Sequence, residues 1–310
     1  MGEKVIAIVL TRNRKKLFGE CLGGLLKQSR RPEMVFVVDN ASEDGTDSFF
    51  KEKYSKNKNF RYIRLKKNIG PSGGFYVGIK EAYKEGADWF WLMDDDSEPM
   101  KDCLKELLIA KRFLEDKKEK IGFLASCVYS PMGNIMNLSK VSSRFSEITE
   151  EQDYPQYLDK GLVKVENATF VSVLFSRDFI SKKGYPIKEM FIWGDDTEYS
   201  YRASRDYPCY LVGKSKAIHK KSAGKLTTIL TENRKEIIRL YYLYYRNNMY
   251  SLLRFESKMH LIRTFVNWIT LKPLRCLLSP PYRFRKAAAV FFGTINGLFY
   301  NPKIEIPNKR

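Results

Sequence analysis

WFWLMDDDSEP, residues 89–99, decides how the rest of the chain is read. A run of large apolar side chains, suited to a core, drops straight into the three adjacent carboxylates of Asp94, Asp95 and Asp96. Burying an ionised carboxylate without a partner costs several kcal/mol. The acids therefore stand in water at a turn, or something cationic meets them.

Working outward, KVIAIVLT (4–11), EMVFVVD (33–39), FRYIRL (60–65) and ADWFWLMD (87–94) are strand-like apolar runs. Between them lie RKKLFGECLGGLLKQS (14–29), DGTDSFFKEKYS (44–55) and PSGGFYVGIKEAYKEG (71–86), which carry apolar residues at helical spacing. Strands of this length alternating with helices predict βαβ units and a mostly parallel sheet flanked by helices. In such sheets ligands bind beyond the carboxyl ends of the strands. Three of those ends are polar here: TRNR (11–14), DNASEDGT (39–46) and DDDSEP (94–99). A polar stretch over 130–156 reads as loop or short hairpin, followed by a β-rich segment (166–176), WGDDTEYSYR (193–202) and a strand ending at His219. From about residue 226 the chain turns helical, basic and aromatic. The expected division is a catalytic domain over 1–225, with a nucleotide-binding half over about 1–100 and an acceptor half over about 120–225, then a membrane-associating helical region over 226–310.

The totals narrow the class. With 310 residues, 44% hydrophobic and 14% aromatic, the chain can build a real core. Its 55 basic and 36 acidic residues leave a net charge of +19. That excess implies a negatively charged partner: nucleic acid, an anionic membrane surface or a phosphate-bearing substrate. Five widely spaced cysteines without a CxxC pair read as reduced thiols of a cytosolic protein, with neither a disulfide framework nor a zinc site. The first residues lack a signal-peptide core, and Ile6 stands where a myristoylation motif wants Ser or Thr. No apolar run reaches the ~20 residues of a spanning helix. The expectation is a cytoplasmic chain that is soluble or lies on a membrane without crossing it.

Four places carry chemistry. If the strand continues, Asp94 and Asp96 share a face while Asp95 points away. Two such carboxylates can hold a divalent cation, with nucleotide phosphates completing its shell. The plain alternative is an acidic turn capping a helix that begins near Pro99. Asp195 and Asp196 precede a helix, where they either cap it or supply a general base for an acceptor hydroxyl. His219, a packed residue on the bland view, is the natural third ligand for an ion held by Asp94 and Asp96. NIGPSGGF (68–75) offers glycines for close approach to a ligand and Ser72 as a helix cap, yet matches neither GxGxxG nor a P-loop.

In this order, VIAIVLTRNR, VVDNASEDGT, KKNIGPSGGF, WLMDDDSEP and FIWGDDTEYSYRA resemble the inverting glycosyltransferases of family 2, which have a GT-A fold. The likeness covers about residues 4–220 and is nearest to galactofuranosyltransferases, with bacterial rhamnosyltransferases close behind. It implies that Thr11, Arg12 and Asn13 line a nucleotide pocket and that Asp39 accepts from the donor's base. Asn68, Gly70, Gly73, Gly74 and Asp95 would lie along the nucleotide-sugar. Asp94, Asp96 and His219 would hold Mn²⁺ or Mg²⁺ on the diphosphate. Asp196, with Asp195 alongside, would be the catalytic base, and Trp193 and Gly194 would meet the acceptor. The implied partners are a nucleotide-sugar donor, UDP-galactofuranose or dTDP-rhamnose, and a lipid-linked cell-surface glycan such as O-antigen or capsule. The chain lacks room for the extra N-terminal domain of large polymerising galactofuranosyltransferases, which implies the addition of one or a few sugars.

The tail, with Tyr241, Tyr242, Tyr244, Tyr245, Trp268, Phe284, Phe291 and Phe292 among many Lys and Arg, has three readings. It packs on the catalytic domain with a solvated basic face, it lies on the inner face of an anionic membrane, or it binds nucleic acid. The first two are compatible and expected together, and the absence of a nucleic-acid motif argues against the third. Two rival readings of the whole chain remain: nucleotidyl transfer, which leaves WGDD without a role, and a non-catalytic basic module that binds nucleic acid or membrane.

Overall fold

The computed structural model describes residues 3–146, 149–220 and 227–308. It divides into two compact units, one of residues 1–188, 199–221 and 304–310, the other of residues 189–198 and 222–303.

The first unit is built on one sheet. β1 (Val5–Thr11), β2 (Met34–Asp39), β3 (Phe60–Arg64) and β4 (Trp89–Asp94) run parallel, linked by α1 (Lys15–Leu26), α2 (Thr46–Tyr54) and α3 (Gly70–Lys84). Past β4 come β5 (Ser97–Pro99), α4 (Cys103–Asp116), β6 (Phe123–Tyr129), β7 (Ile135–Met136), β8 (Leu162–Lys164), β9 (Val173–Ser176), α5 (Arg177–Lys183), α6 (Asp195–Asp206) and β10 (Tyr210–His219). The strand order is β3-β2-β1-β4-β9-β6-β10-β5, with β9 antiparallel to both of its neighbours and β10 parallel to β6. This is the mostly parallel α/β arrangement expected from the sequence.

The central strands are covered on both faces, and alternation sorts their side chains between two apolar layers. Val5, Ala7, Val9, Trp89, Trp91 and Met93 pack with α1 and α4. Ile6, Ile8, Leu10, Phe90 and Leu92 pack with α3, α5 and α6. α3 approaches β1 so closely that a Cβ on Gly74 would stand 2.3 Å from the Leu10 side chain, and one on Gly78 2.5 Å from Ile8. These glycines serve the contact between helix and sheet.

Two local expectations are corrected. The helix after the acid triplet begins at Cys103, not near Pro99. Ser97–Pro99 instead form β5, which pairs antiparallel with the end of β10, Ser97 opposite His219. Ser72 does not cap α3: the helix starts at Gly70, and the buried Ser72 hydroxyl donates to the Ile187 carbonyl.

The second unit is helical: α7 (Lys235–Phe255), α8 (Lys258–Ile269), α9 (Leu271–Leu277) and α10 (Arg283–Phe299). α10 packs along α7 by close approach, since a Cβ on Gly293 or Gly297 would meet the Tyr242 or Arg246 carbonyl at 2.6 Å. Ile229, Tyr241, Tyr245, Cys276, Ala289 and Val290 form its apolar centre. All five cysteines of the chain are free thiols. Among the described residues, no helix is long and apolar enough to cross a membrane.

Candidate active site

At the carboxyl edge of the sheet, β4 stops at Asp94 and the chain turns through Asp95 and Asp96. Strand alternation therefore does not govern the triplet. Asp95 Oδ2 accepts from Thr11 Oγ1 at 2.8 Å and from the Arg12 amide at 3.3 Å. Arg14, absent from the sequence-based candidates, places Nη1 3.2 Å from Asp95 Oδ1 and 2.7 Å from Asp96 Oδ2. The cation demanded by three buried-side acids is thus supplied in part by the protein itself.

The β5–β10 ladder carries His219 to the turn, and the Lys220 amide donates to the Asp96 carbonyl at 2.7 Å. His219 Nε2 stands 3.2 Å from Asp96 Oδ1, a buried oxygen that lacks an aligned hydrogen bond. His219 Nδ1 is 2.9 Å from Asn137 Oδ1, a contact that orients the ring so that Nε2 faces the Asp96 carboxylate. The separation of Nε2 from Oδ1 suits a divalent ion, since two neighbouring ligands of an octahedral ion at ~2.1 Å stand about 3 Å apart.

Charge sets the acids apart. Burial pushes Asp95 up to about 6, against the opposing pull of Arg14 and the Thr11 hydroxyl. Burial would also raise Asp96, but His219 and Arg14 outweigh it and hold that carboxyl below the usual carboxylate range. Asp94 closes β4, half-buried. Among the described residues no three His, Cys, Asp or Glu groups converge into a metal cage. The structure brings Asp96 to His219 and does not gather Asp94 with them, so an ion here would draw part of its shell from its substrate.

The other predicted nucleotide residues line the neighbouring strand ends. Asp39 is fully buried at the end of β2, where it accepts from the Ser42 amide at 2.8 Å and from the Tyr62 hydroxyl. Asn13, at φ 53°, accepts from the Glu43 amide through its side chain and donates its own amide to Ser42 Oγ. Asn68 Oδ1 accepts from the Gly70 amide, and Asn40 Oδ1 from the Ile69 amide, which together shape the entry to α3. Gly73 and Gly74 are accounted for by close packing against Ile69 and Leu10.

In the second unit, Trp193 and Gly194 lead into Asp195 and Asp196, the first residues of α6. Phe191, Trp193 and Gly194 all have left-handed backbone, with φ of 65°, 61° and 89°. Such conformations cost non-glycine residues of order 1–3 kcal/mol and persist where surrounding contacts impose them. Asn247 on α7 imposes them here. Fully buried, it sends Nδ2 to the carbonyls of Met190 (2.9 Å), Ile192 (3.1 Å) and Trp193 (2.8 Å). Trp193 rests on Tyr241, ring centroids 5.1 Å apart. Burial raises both carboxyls, and the adjacent Asp196 charge raises Asp195 further. Thr197 donates its amide (2.7 Å) and hydroxyl (3.2 Å) to Asp196 Oδ1.

Sequence reasoning missed Arg14, Asn137 and Asn247. Only Asn247 left a signal: an amide among tyrosines at helical spacing, which a core tolerates when something needs its hydrogen bonds.

Residues 6–118 match the family model described as glycosyl transferase family 2. The chain is 30% identical over 218 residues to galactofuranosyltransferase GlfT1 of Mycobacterium tuberculosis, and 25% over 223 residues to GlfT1 of Mycolicibacterium smegmatis. Each alignment takes in 66% of this chain and 66% of the relative, so the chain spans just under two thirds of the length of these curated proteins. Among solved structures, GalNAc-T7 with UDP, GalNAc and Mn²⁺ superposes with a TM-score of 0.63 at 12% identity, over 92% of this chain and 54% of that one.

Proposed function

Since the chain belongs to glycosyltransferase family 2 and has the GT-A fold, we propose that it moves galactofuranose from UDP-galactofuranose to a lipid-linked cell-surface glycan, inverting the anomeric centre. The observation that carries this reading is the Asp95–Asp96 turn, pinned beside His219 by the β5–β10 ladder with a buried carboxylate oxygen facing an imidazole nitrogen. Mn²⁺ or Mg²⁺, held by Asp96 and His219 with the substrate's phosphates completing its shell, would offset the charge that develops on the departing diphosphate.

This chain's own groups do the rest. Arg14 keeps the two buried carboxylates neutralised and faces the same space, half-exposed, as a phosphate partner. Thr11, Arg12, Asn13, Asp39, Asn68, Gly70 and Asp95 form the wall along which the nucleotide-sugar lies. Several act through the backbone they fix: Asp39 and Asn13 hold the loop after β2, and Asn68 holds the turn into α3. Asp196, with Asp195 alongside, takes the proton of the acceptor hydroxyl as that oxygen bonds to the anomeric carbon. Trp193 and Gly194 are placed to meet the acceptor sugar. One displacement suffices, and no covalent enzyme intermediate forms. Association with the inner face of the membrane is part of this reading, because the acceptor's lipid resides there.

The purified chain, given UDP-galactofuranose, a divalent metal and a polyprenyl-linked acceptor, is expected to release UDP and form the inverted linkage, read by NMR of the product. Faster turnover of dTDP-rhamnose would transfer the reading to a rhamnosyltransferase. Release of pyrophosphate would replace it with nucleotidyl transfer.

A further inference from the structure

The sequence offers the whole aromatic tail as membrane-facing, and the structure divides it. Tyr241 and Tyr245 are buried, and Trp268 packs edge-on against Tyr245 with centroids 4.9 Å apart. The two tyrosines are core, and Trp268 is partly buried against them. α8 is the opposite case: it carries Met259, Leu261, Ile262, Phe265, Val266, Trp268 and Ile269, yet none of its residues is buried. Met259, Ile262 and Val266, spaced i, i+3, i+7, are 69%, 58% and 48% exposed. α9, which packs against α8, repeats the spacing with Leu271, Leu274 and, just past its end, Leu278, 53%, 57% and 83% exposed. Apolar residues at this period form one stripe on a helix. Two such stripes on successive helices leave more apolar surface than the scattered residues of an ordinary protein exterior.

The charges say what covers it. Lys258, Arg263, Lys272 and Arg275 lie on the same two helices, and residues 257–304 contain no Asp or Glu. A second copy of the chain would bring like charges together. Nucleic acid would meet aliphatic side chains, which offer no flat face for a base to stack on. A lipid leaflet satisfies both halves, taking the aliphatic stripe into its acyl boundary while anionic headgroups meet the cations.

We propose that the outer face of α8 and α9 docks on an anionic membrane, with Met259, Ile262, Val266, Leu271, Leu274 and Leu278 entering the leaflet. The purpose of this docking rests on the reading of a lipid-linked acceptor; its geometry rests on the helices alone. Deleting everything beyond residue 257 is a poor test, because α10 packs on α7 and Glu305 is bonded to Lys80 at 2.7 Å.

The test uses the full chain and point changes at exposed positions. Co-sedimentation with phosphatidylglycerol/phosphatidylcholine vesicles should show salt-sensitive binding, weak on phosphatidylcholine alone. The double variant Ile262→Asp/Leu274→Asp should bind at least about tenfold more weakly, with an unchanged thermal transition and an unchanged rate of UDP release from soluble donor. Arg263→Gln and Arg275→Gln should each weaken binding roughly fivefold, the loss of one surface charge. Full vesicle binding by the double variant would overturn the proposal. So would duplex or single-stranded DNA binding that competes with vesicles, or a dimer in sedimentation that the same double variant dissolves. Absence of any sugar turnover, with vesicle binding behaving as described, would instead strike the functional reading and leave the docking face standing.

Discussion

The chain has two clusters of aspartates, and they are held in opposite ways. At the sheet edge, Asp95 and Asp96 share the guanidinium of Arg14, and Asp96 also faces His219. At the start of α6, burial drives Asp195 and Asp196 upward, and the Asp196 charge raises Asp195 further. Asp96, held below the usual carboxylate range by His219 and Arg14, stays ionised and suits a cation, although burial still lifts its neighbour Asp95 to about 6. A carboxyl raised by burial holds protons more readily and suits proton transfer near neutral pH. The same residue type thus stands in two electrostatic settings, and the proposed division of roles follows that difference.

The harshest way to break the contrast is Asp96→Ala. It removes the carboxylate that faces His219 and leaves Arg14 with Asp95 alone. Turnover is expected to fall by about 10³-fold or more, the size of loss seen when a principal electrostatic group is removed. The extra thermal stability conferred by donor plus Mn²⁺ should vanish with it. Retained turnover would dismiss the metal assignment. Asp196→Asn attacks the other cluster and should cost about 10²–10⁴-fold in kcat. Here the stabilisation by donor plus Mn²⁺ should survive. Loss of donor binding in Asp196→Asn would mean that the two clusters do not differ in role as described.

Arg14→Gln sharpens the first cluster. Arg14 occupies the place a cation would take, so its removal should tighten Mn²⁺ binding in the absence of nucleotide, by about tenfold, while weakening UDP binding by a similar factor. Calorimetric titration with Mn²⁺ alone and then with UDP separates the two effects. Weaker binding in both titrations would make Arg14 a support for the turn and nothing more.

Much of this was legible in the sequence. The short apolar runs VIAIVLT and WFWLM, set between helical stretches, named the strands, and their residues divide alternately between the two layers of the core. The triplet lies at the end of β4, His219 at the end of β10 and Asp195–Asp196 at the start of α6, close to where the sequence put them. What escaped was made by pairing at a distance. A three-residue strand such as Ser97–Pro99 has no periodicity to read, and only its ladder with β10 defines it. Arg14 lies about eighty residues from the acids it joins, in a stretch whose first three residues already had a nucleotide role. Gly73 and Gly74 looked like ligand-facing residues because a glycine's empty side does not say what fills it; Ile69 and Leu10 do. The tail's aromatic residues could not be sorted into core and surface until the helices were packed.

Asn247→Ala tests how the second cluster is held. Its amide is the shared donor for three carbonyls that precede Asp195, all of them on or beside left-handed residues. Leaving buried carbonyls without donors costs about 1–3 kcal/mol. The variant should unfold at a lower denaturant midpoint with unchanged m-value. It should also lose turnover out of proportion to that destabilisation, with donor binding intact. A stability loss with normal kcat would reduce Asn247 to a structural amide.

The mildest change is Asp195→Asn. Both carboxyls are raised, so between the usual carboxylate range and their folded values the native state holds protons that the unfolded chain has released. Stability contributed by this pair therefore falls as pH rises through that window, while the ionised fraction of Asp196, and turnover with it, climbs. Asp195 is the carboxyl pushed up to about 8, by burial and by the Asp196 charge, whereas burial lifts Asp196. Asp195 therefore keeps its proton while Asp196 ionises, and the neutral isostere leaves Asp196 in the same surroundings. The acidic limb of kcat/KM should stay where it is, and the plateau should keep most of its height. Stability near pH 7 should rise at the same time, because the unfolded chain no longer gains by releasing a proton from Asp195. A limb that moves by a unit or more would make Asp195 the group whose ionisation limits the rate, and the assignment of Asp196 as the base would lose its footing.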